Sequence, residues 1–379
     1  MFYYLHMLTD WFSPLRVFRY ITVRALAGAG TAFVLSLLLG PWMIRELRRF
    51  KMGQPVRKDE APPLYIFHGK KAGTPCMGGL LIIATVLVST LLWAVPTNEF
   101  VLLTLATMCY MGLVGFRDDY LKVTRKSSKG LGVRAKLIYQ VAWVAVVVTI
   151  LLVLPATRER VQQLMIPFIK DPVIRHLGFL AIFLFLALVM VGSTNAVNLT
   201  DGLDGLAIGC SNSVAVAYLV MAYVAGHVRF AQYLQVSYIA GSGELAVFCA
   251  CLLGAGLGFL WFNCHPARVF MGDTGSLALG GAIAMVAILI KQELTLILVG
   301  GVFVIEAASV LLQVSYFKLT GGKRIFKCSP LHHHFEVLEK ERAESEHRDV
   351  EVIETMITTR FWILSIIFAL IGVATLKIR

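Results

Sequence analysis

Five of the nine aspartates in the chain, Asp118, Asp119, Asp201, Asp204 and Asp273, fall at the ends of long apolar runs, each beside glycine or an expected helix terminus. They come from three separate connections. Carboxylates at a hydrocarbon boundary are costly, and where several converge a divalent cation is the usual compensation. The plain alternative for any one of them is a solvated loop acid or a helix cap. Asp118 and Asp119 follow an apolar run, at the negative end of a helix dipole, so a cation must balance them. Lys122, Arg125, Lys126 and Lys129 could do so, and so could a metal. Asp201 and Asp204 are three apart and share a face if helical. Asp201 alone could cap the next helix, yet Asn195, Asn198, Asp201 and Asp204 together are denser than a cap requires. Asp273 and the free N–H groups of Met271–Ser276 open another helix, which suits a cation and phosphate oxygens respectively.

A basic, histidine-rich stretch runs from Gly321 to Glu336. Ser329 as N-cap and Pro330 at the first helical position predict a helix whose opening turn displays His332, His333 and His334. Consecutive helical residues point about 100° apart, so the three cannot all ligate one metal. A positive helix end with imidazoles and Lys323, Arg324 and Lys327 suits an anion, the alternative being a solvated basic surface near anionic lipid. Lys70, Lys71 and Thr74 precede another apolar run and by themselves read as a basic juxtamembrane loop. Glu306 and Gln313 lie inside an apolar run, where each needs a buried partner or a headgroup contact. The Glu/Arg-rich tract from Glu339 to Glu354 reads as a solvated helix without chemistry.

The elements that carry these residues follow from composition. Of 379 residues 58% are hydrophobic and 15% charged, with a mean hydropathy of +0.74, which excludes a water-soluble globule. Disorder is excluded by the same apolar content and by 23 Phe, 12 Tyr and 6 Trp. A net charge of +12 would fit nucleic acid, but basic loops between apolar runs mark the cytoplasmic face of a membrane protein, and no nucleic-acid partner is expected. The seven cysteines form no C-x-x-C pair and read as small core residues.

A spanning helix needs roughly 20 apolar residues. Ten runs approach this: Ala25–Ile44, Cys76–Val95, Phe100–Phe116, Leu137–Leu154, Leu177–Val197, Leu206–Ala225, Leu245–Phe262, Ser276–Ile290, Leu294–Tyr316 and Phe361–Leu376. The expected fold is an all-α polytopic membrane protein of one domain over residues 1–379. It has an aromatic interfacial segment at 1–24, a ten-span core at 25–376 and a large loop with the histidine-rich helix at 317–360. Nothing follows the first twenty residues that resembles a signal-peptide cleavage site. Loops after odd-numbered runs hold 24 of the 35 Lys and Arg, which puts them in the cytoplasm and both termini in the periplasm. All five aspartates then face the cytoplasm. Convergent acids for Mg²⁺, two basic loops and a helix N-terminus describe a site for a phosphorylated donor beside a lipid acceptor.

Five motifs in order carry a resemblance: Gly73–Gly79, Gly115–Tyr120, Asn198–Gly205, Phe270–Leu277 and Pro330–Glu336. Together they resemble the polyprenyl-phosphate N-acetylhexosamine-1-phosphate transferases, and among them the phospho-N-acetylmuramoyl-pentapeptide transferases. Cys76 stands where that family usually has Thr, and Cys264-His265 precede Pro266 at a variable spot. The resemblance implies transfer of phospho-MurNAc-pentapeptide from UDP-MurNAc-pentapeptide to undecaprenyl phosphate, giving lipid I and UMP. It implies Mg²⁺ dependence, a homodimer and the bacterial cytoplasmic membrane, at the first membrane step of peptidoglycan synthesis. By motif position, Asp118 engages the lipid phosphate as base or orienter, Asp273 holds Mg²⁺, and Asp119 supports both. Lys71, Thr74, Asn198, Asp201, Asp204, Asn263 and Phe270 bind the donor, Phe270 by stacking on uracil, while His332 and His333, with His334 beside them, flank it. His332 is counted with the catalytic aspartates. A phosphomonoester has its second pKa near 6, so the acceptor needs little deprotonation and an orienting Asp118 competes evenly with a general base.

A sister transferase using UDP-GlcNAc on the same lipid is the nearest rival. A secondary transporter would carry midplane acids, whereas the polar residues here gather at one face. The orientation is testable by single-cysteine labelling on a cysteine-free background. Cysteines at Ser127 and Glu344 are expected to react only from the cytoplasmic side; labelling of either from outside would break the proposed face.

Overall fold

The structure, a computed structural model, describes residues 1–50, 73–125, 130–346 and 352–378. Lys70, Lys71, Lys126, Ser127 and Lys129 lie outside the described residues. Within them the chain forms eleven long helices: α1 (Ile21–Arg49), α2 (Gly79–Trp93), α3 (Glu99–Thr124), α4 (Val133–Val153), α5 (Phe179–Thr200), α6 (Leu206–Ala225), α7 (Glu244–Asn263), α8 (Gly272–Leu289), α9 (Gly301–Leu319), α10 (Leu331–Ser345) and α11 (Ile353–Ala374). Two 3₁₀ turns, Phe2–Leu8 and Ser13–Arg19, precede α1. Nine helices, all but α2 and α10, are long and apolar enough to cross a membrane; α2 is apolar but only 15 residues long. This is an all-α, multi-pass membrane protein.

The boundaries depart from the apolar runs where polar residues gain tertiary partners. Helix α3 continues to Thr124, so Asp118 and Asp119 lie inside a helix rather than in the loop after it. Helix α8 begins at Gly272 and α11 at Ile353, both ahead of the apolar residues that announce them. The ninth run is interrupted: a short helix, Thr295–Val299, is followed by Gly300 and then α9. A Cβ at Gly301 would stand 2.6 Å from the ring of Phe368, so that break is where α11 packs against the chain.

Helix α8 is the axis of the bundle, with α2, α3, α5 and α6 packed around it. In its apolar stretch 89% of residues are buried, against 28% in α1 and α4, which therefore face lipid. Lipid tails are as apolar as leucine, so helices associate through close backbone packing rather than hydrophobic exclusion. Glycine provides it at the start of α8. A Cβ on Gly79 would lie 2.1 Å from the backbone N of Gly275, and one on Gly115 would lie 2.1 Å from the carbonyl O of Asp273. The opposite end is fastened by Arg24 and Glu244, buried and bidentate at 2.6 Å for both bonds. Glu244 also accepts from Val95 N at 2.9 Å, and Arg24 donates to Trp93 O at 3.1 Å, which ties α1 and α7 to the end of α2.

A methyl group at position 115 must push α3 off α8. Gly115→Ala is expected to cost about 1–3 kcal/mol by overpacking, seen as a lower unfolding temperature of the detergent-purified protein. Gly132→Ala, which meets nothing within 4 Å, serves as the control. Equal melting of both variants and wild type would show that the contact at Gly115 yields freely.

Candidate active site

A helix leaves its first N–H groups without intrahelical partners, and α8 leaves them inside the protein. Asp119 of α3 meets them. Its Oδ1 accepts from Asp273 N at 3.2 Å, and its Oδ2 accepts from Thr274 N at 2.9 Å and Thr274 Oγ1 at 2.7 Å. Asp119 is thus a cap supplied from a neighbouring helix, favoured by the positive end of the α8 dipole. The approach is made possible by Gly272, which has φ +72° and whose Cβ would stand 2.6 Å from Asp119 Oδ2.

The cap brings Asp273 beside Asp118, and carboxylate oxygens of Asp118, Asp119 and Asp273 all lie within 4.8 Å of one another. Two lysines balance them. Lys122, one turn after Asp118, lies 2.6 Å from Asp118 Oδ2 and donates to Asp273 Oδ2 at 3.0 Å. Lys136 of α4 donates to Asp273 Oδ2 at 2.6 Å and lies 3.5 Å from Asp118. Asp118 Oδ1 accepts from Leu131 N at 2.7 Å, whereas its buried Oδ2 meets Lys122 without hydrogen-bond alignment. On the far side of Asp273, Asn198 of α5 donates to Oδ1 at 2.7 Å and to Ser276 Oγ at 2.8 Å. Lys122 is among the cations that sequence reasoning offered. Lys136 was only one more basic loop residue there, because nothing in its spacing ties it to an aspartate 137 positions away.

Asp201 and Asp204 do not share a helical face. Residues 201–205 form a turn between α5 and α6, closed by Gly205 at φ +75°, and no side chain of the turn caps α6. Asp204 is buried; its Oδ2 accepts from Ala267 N at 3.0 Å and lies 3.1 Å from His265 Nδ1. Its own N–H donates to Glu354 at 2.8 Å. Glu354 begins α11 and ends the tract to which the sequence assigned no chemistry; burial brings it into this cluster. Asn263 is buried too, accepting from Gly205 N at 3.1 Å and donating to Val269 O at 2.9 Å, so its amide braces loops. Phe270 pairs through its backbone with Pro75 and Gly78 at 2.8 Å each, leaving a half-buried ring, and Thr74 is half-buried next to that pairing. Lys71 lies outside the described residues.

Of the three histidines, His332 and His333 lie side by side with ring centroids 4.2 Å apart, while His334 turns to Phe326. His332 is wholly buried, with Nδ1 3.0 Å from Glu306 Oε2 and its backbone N donating to Glu306 Oε1 at 3.1 Å. The N-cap of α10 is Pro330 rather than Ser329, and the carboxylate that meets the helix start is Glu306 of α9. The anion expected at that helix end is therefore partly the protein's own. His333 bonds Glu336 at 2.8 Å; burial and His332 hold its imidazole below the usual value, so it is neutral at pH 7. His334 is half-buried against Phe326 and accepts from Lys327 N at 3.2 Å. Gln313 accepts from Ile325 N and Phe326 N at 3.1 and 3.0 Å and so anchors the basic loop. Both polar residues of α9 have protein partners.

Beside the acids an apolar groove of about 450 Å³ opens between α4, α5 and α9, lined by Leu137, Val141, Leu188, Val191 and Leu311, with Asn195 at its polar end. A multi-pass helical protein with lysine-balanced aspartates at one end of its bundle and an apolar groove beside them belongs to a defined class: glycosyl transferase family 4 matches residues 101–291. Curated relatives refine this. The phospho-N-acetylmuramoyl-pentapeptide-transferases of Methylacidiphilum infernorum and Solidesulfovibrio magneticus are each 50% identical over 380 residues, with 100% of both chains covered. That of Maridesulfovibrio salexigens is 49% identical over 378 residues, covering 100% of this chain and 99% of the relative. The chain belongs to the phospho-N-acetylmuramoyl-pentapeptide-transferase family.

Burial, then the carboxylates of Asp273, Asp119 and Asp204, push Asp201 up to about 8. An unfolded aspartate ionises near 3.9. Between these values the folded chain holds a proton that the unfolded chain releases, so the stabilisation is complete below about pH 4 and is lost as pH rises through about 8. The unfolding temperature without nucleotide is expected to fall between about pH 5 and 8.5, and Asp201→Asn to flatten that fall. Parallel slopes for wild type and variant would show that Asp201 titrates normally.

Proposed function

We infer that the chain transfers phospho-MurNAc-pentapeptide from its UDP carrier to undecaprenyl phosphate, releasing UMP and forming lipid I, at the cytoplasmic face of the bacterial inner membrane and as a homodimer. The observation that carries this reading is the pairing of a full-length family match with a carboxylate–lysine cluster whose Lys136 and Asn198 are chain neighbours of the groove residues Leu137 and Leu199. Phosphoryl transfer is mainly positioning and charge neutralisation, and the cluster offers both. The groove suits a polyprenyl tail, with its phosphate toward Asp118, Lys122 and Lys136.

The donor set fits Mg²⁺. Hard carboxylate oxygens from two helices converge, and Asp118 Oδ2 is buried without an aligned hydrogen bond. Asp273 and Asp118 would hold the ion, since both oxygens of Asp119 are spent on the α8 cap. Bound there, Mg²⁺ supplies neutralisation of phosphate charge and alignment of the reacting oxygens. Asn198 and Ser276 fix the Asp273 rotamer, and Lys122 and Lys136, freed from carboxylates, are placed to neutralise the phosphates. The acceptor is already largely dianionic at neutral pH, because its second pKa is near 6. Asp118, held through Leu131 N, accordingly serves better as an orienter than as a base. Asp201, Asp204 and Phe270 supply the donor side, where Phe270 offers a half-buried ring for the uracil.

Purified protein with Mg²⁺ is expected to release UMP from UDP-MurNAc-pentapeptide only when undecaprenyl phosphate is present. Release without lipid would indicate hydrolysis or a covalent intermediate. Asp273→Asn keeps shape and loses charge, so it should lose at least about 100-fold in kcat while melting like wild type. Wild-type turnover with unchanged Mg²⁺ dependence would remove Asp273 from the metal.

A further inference from the structure

Glu306 sits in the second turn of α9, an apolar membrane-spanning helix, and is completely buried. An unpaired carboxylate there would be among the most expensive side chains in the molecule. Among the described residues its carboxylate has one partner, His332, bonded through the backbone N and through Nδ1. A helix cap needs only the first of these bonds. The second fixes the imidazole, because an ionised carboxylate can only accept, so Nδ1 must carry a proton. Which atom His332 presents elsewhere is then decided. Its Nε2 is buried and makes no hydrogen bond to the described residues. It points at Gly202, the residue after Asp201, so closely that a Cβ on Gly202 would stand 2.3 Å from it. A buried polar atom left without a partner costs free energy and calls for an explanation. Here it faces the loop between α5 and α6 that carries Asp201 and Asp204.

We propose that Glu306 is a positioning residue for the transfer: it holds His332 with Nδ1 protonated and Nε2 directed at the 201–205 loop, and so sets the loop that carries the donor-side aspartates Asp201 and Asp204. This rests on the reading of the site given under Proposed function. Beside the pair lie Gly202 of the turn, His333 of α10 with its partner Glu336, and Cys210 of α6. In Glu306→Gln the amide oxygen still caps the backbone N–H, but the amide N–H₂ facing the ring can only donate. That favours the tautomer with the proton on Nε2, the wrong one for this geometry. Replacing the carboxylate that orients a histidine can leave structure intact and lower turnover through the tautomer alone.

The test measures kcat and donor KM by UMP release for the wild type, Glu306→Gln, Glu306→Asp, His332→Asn and the double variant Glu306→Gln/His332→Asn, alongside unfolding temperatures. Glu306→Gln is expected to lose about 10- to 100-fold in kcat, the usual range for residues that orient a ligating or reacting histidine. Donor KM should change less than about threefold, since ground-state binding is retained. Glu306→Asp keeps the charge and should exceed Glu306→Gln in kcat, although its shorter arm loses more packing. In the His332→Asn background Glu306→Gln should cost nothing further, because its effect passes through a ring that is gone. A purely structural Glu306 would predict the reverse: multiplying losses, Asp no better than Gln, and activity falling in step with unfolding temperature. Any of these, or wild-type kcat in Glu306→Gln, overturns the role while leaving the transferase reading intact. Absence of UMP release from the wild-type protein overturns that reading and this role with it.

Discussion

The start of α8 lies within the protein rather than in water, and its leading N–H groups have to be met there. Asp119 meets them from another helix, with three hydrogen bonds to Asp273 and Thr274. A cap of that kind fixes two helices at once, in height and in rotation. Gly115 and Gly272 have no side chain because α3 and α8 must come close enough for the bonds to form. The position of Asp273 beside Asp118 follows from this contact. So does the division of labour among three acids of one residue type: one is spent on structure, and two keep oxygens directed to the site.

Concentrating carboxylates at the end of a helix bundle requires counter-charge, and the structure provides it from both directions along the chain. Lys122 is local, one turn after Asp118, whereas Lys136 arrives from the next helix. Both ammonium groups touch the same oxygen of Asp273. Their partners are the groups that a cation and phosphates would engage, so the cluster can exchange internal charge pairs for ligand charge pairs without leaving a buried ion unbalanced. Asn198 holds the other oxygen of Asp273 and keeps the carboxylate oriented through such an exchange.

Two further glutamates serve the same end of the molecule. Glu354 receives the Asp204 N–H and Glu306 receives His332, and each joins a motif to a helix distant in sequence. The turn at 201–205 is accordingly gripped on several sides, by Asn263 and Glu354 and by the close approach of His332. Such supports hold the turn in one conformation, which a binding role for it would require.

The sequence by itself determined the membrane class, the number of apolar runs and which polar residues stand out at their ends, because these are local properties. Hydropathy over twenty residues reports a span regardless of what surrounds it, and aspartate beside glycine at the end of an apolar run is costly wherever it occurs. Asp118, Asp119, Asp273, Asp201, Asp204 and the histidines could therefore be picked out before any fold was known. What each of them does was decided only by the tertiary structure. That Asp119 caps α8, that Asp204 and Asn263 brace loops, that His332 is buried while His333 and His334 are half-buried, and that Lys136, Glu306 and Glu354 pair with Asp273, His332 and Asp204 depend on partners up to 155 residues away. Hydrogen bonding and charge compensation act over a few ångströms of space, and in a bundle of spanning helices the residues that close have no reason to be close in the chain.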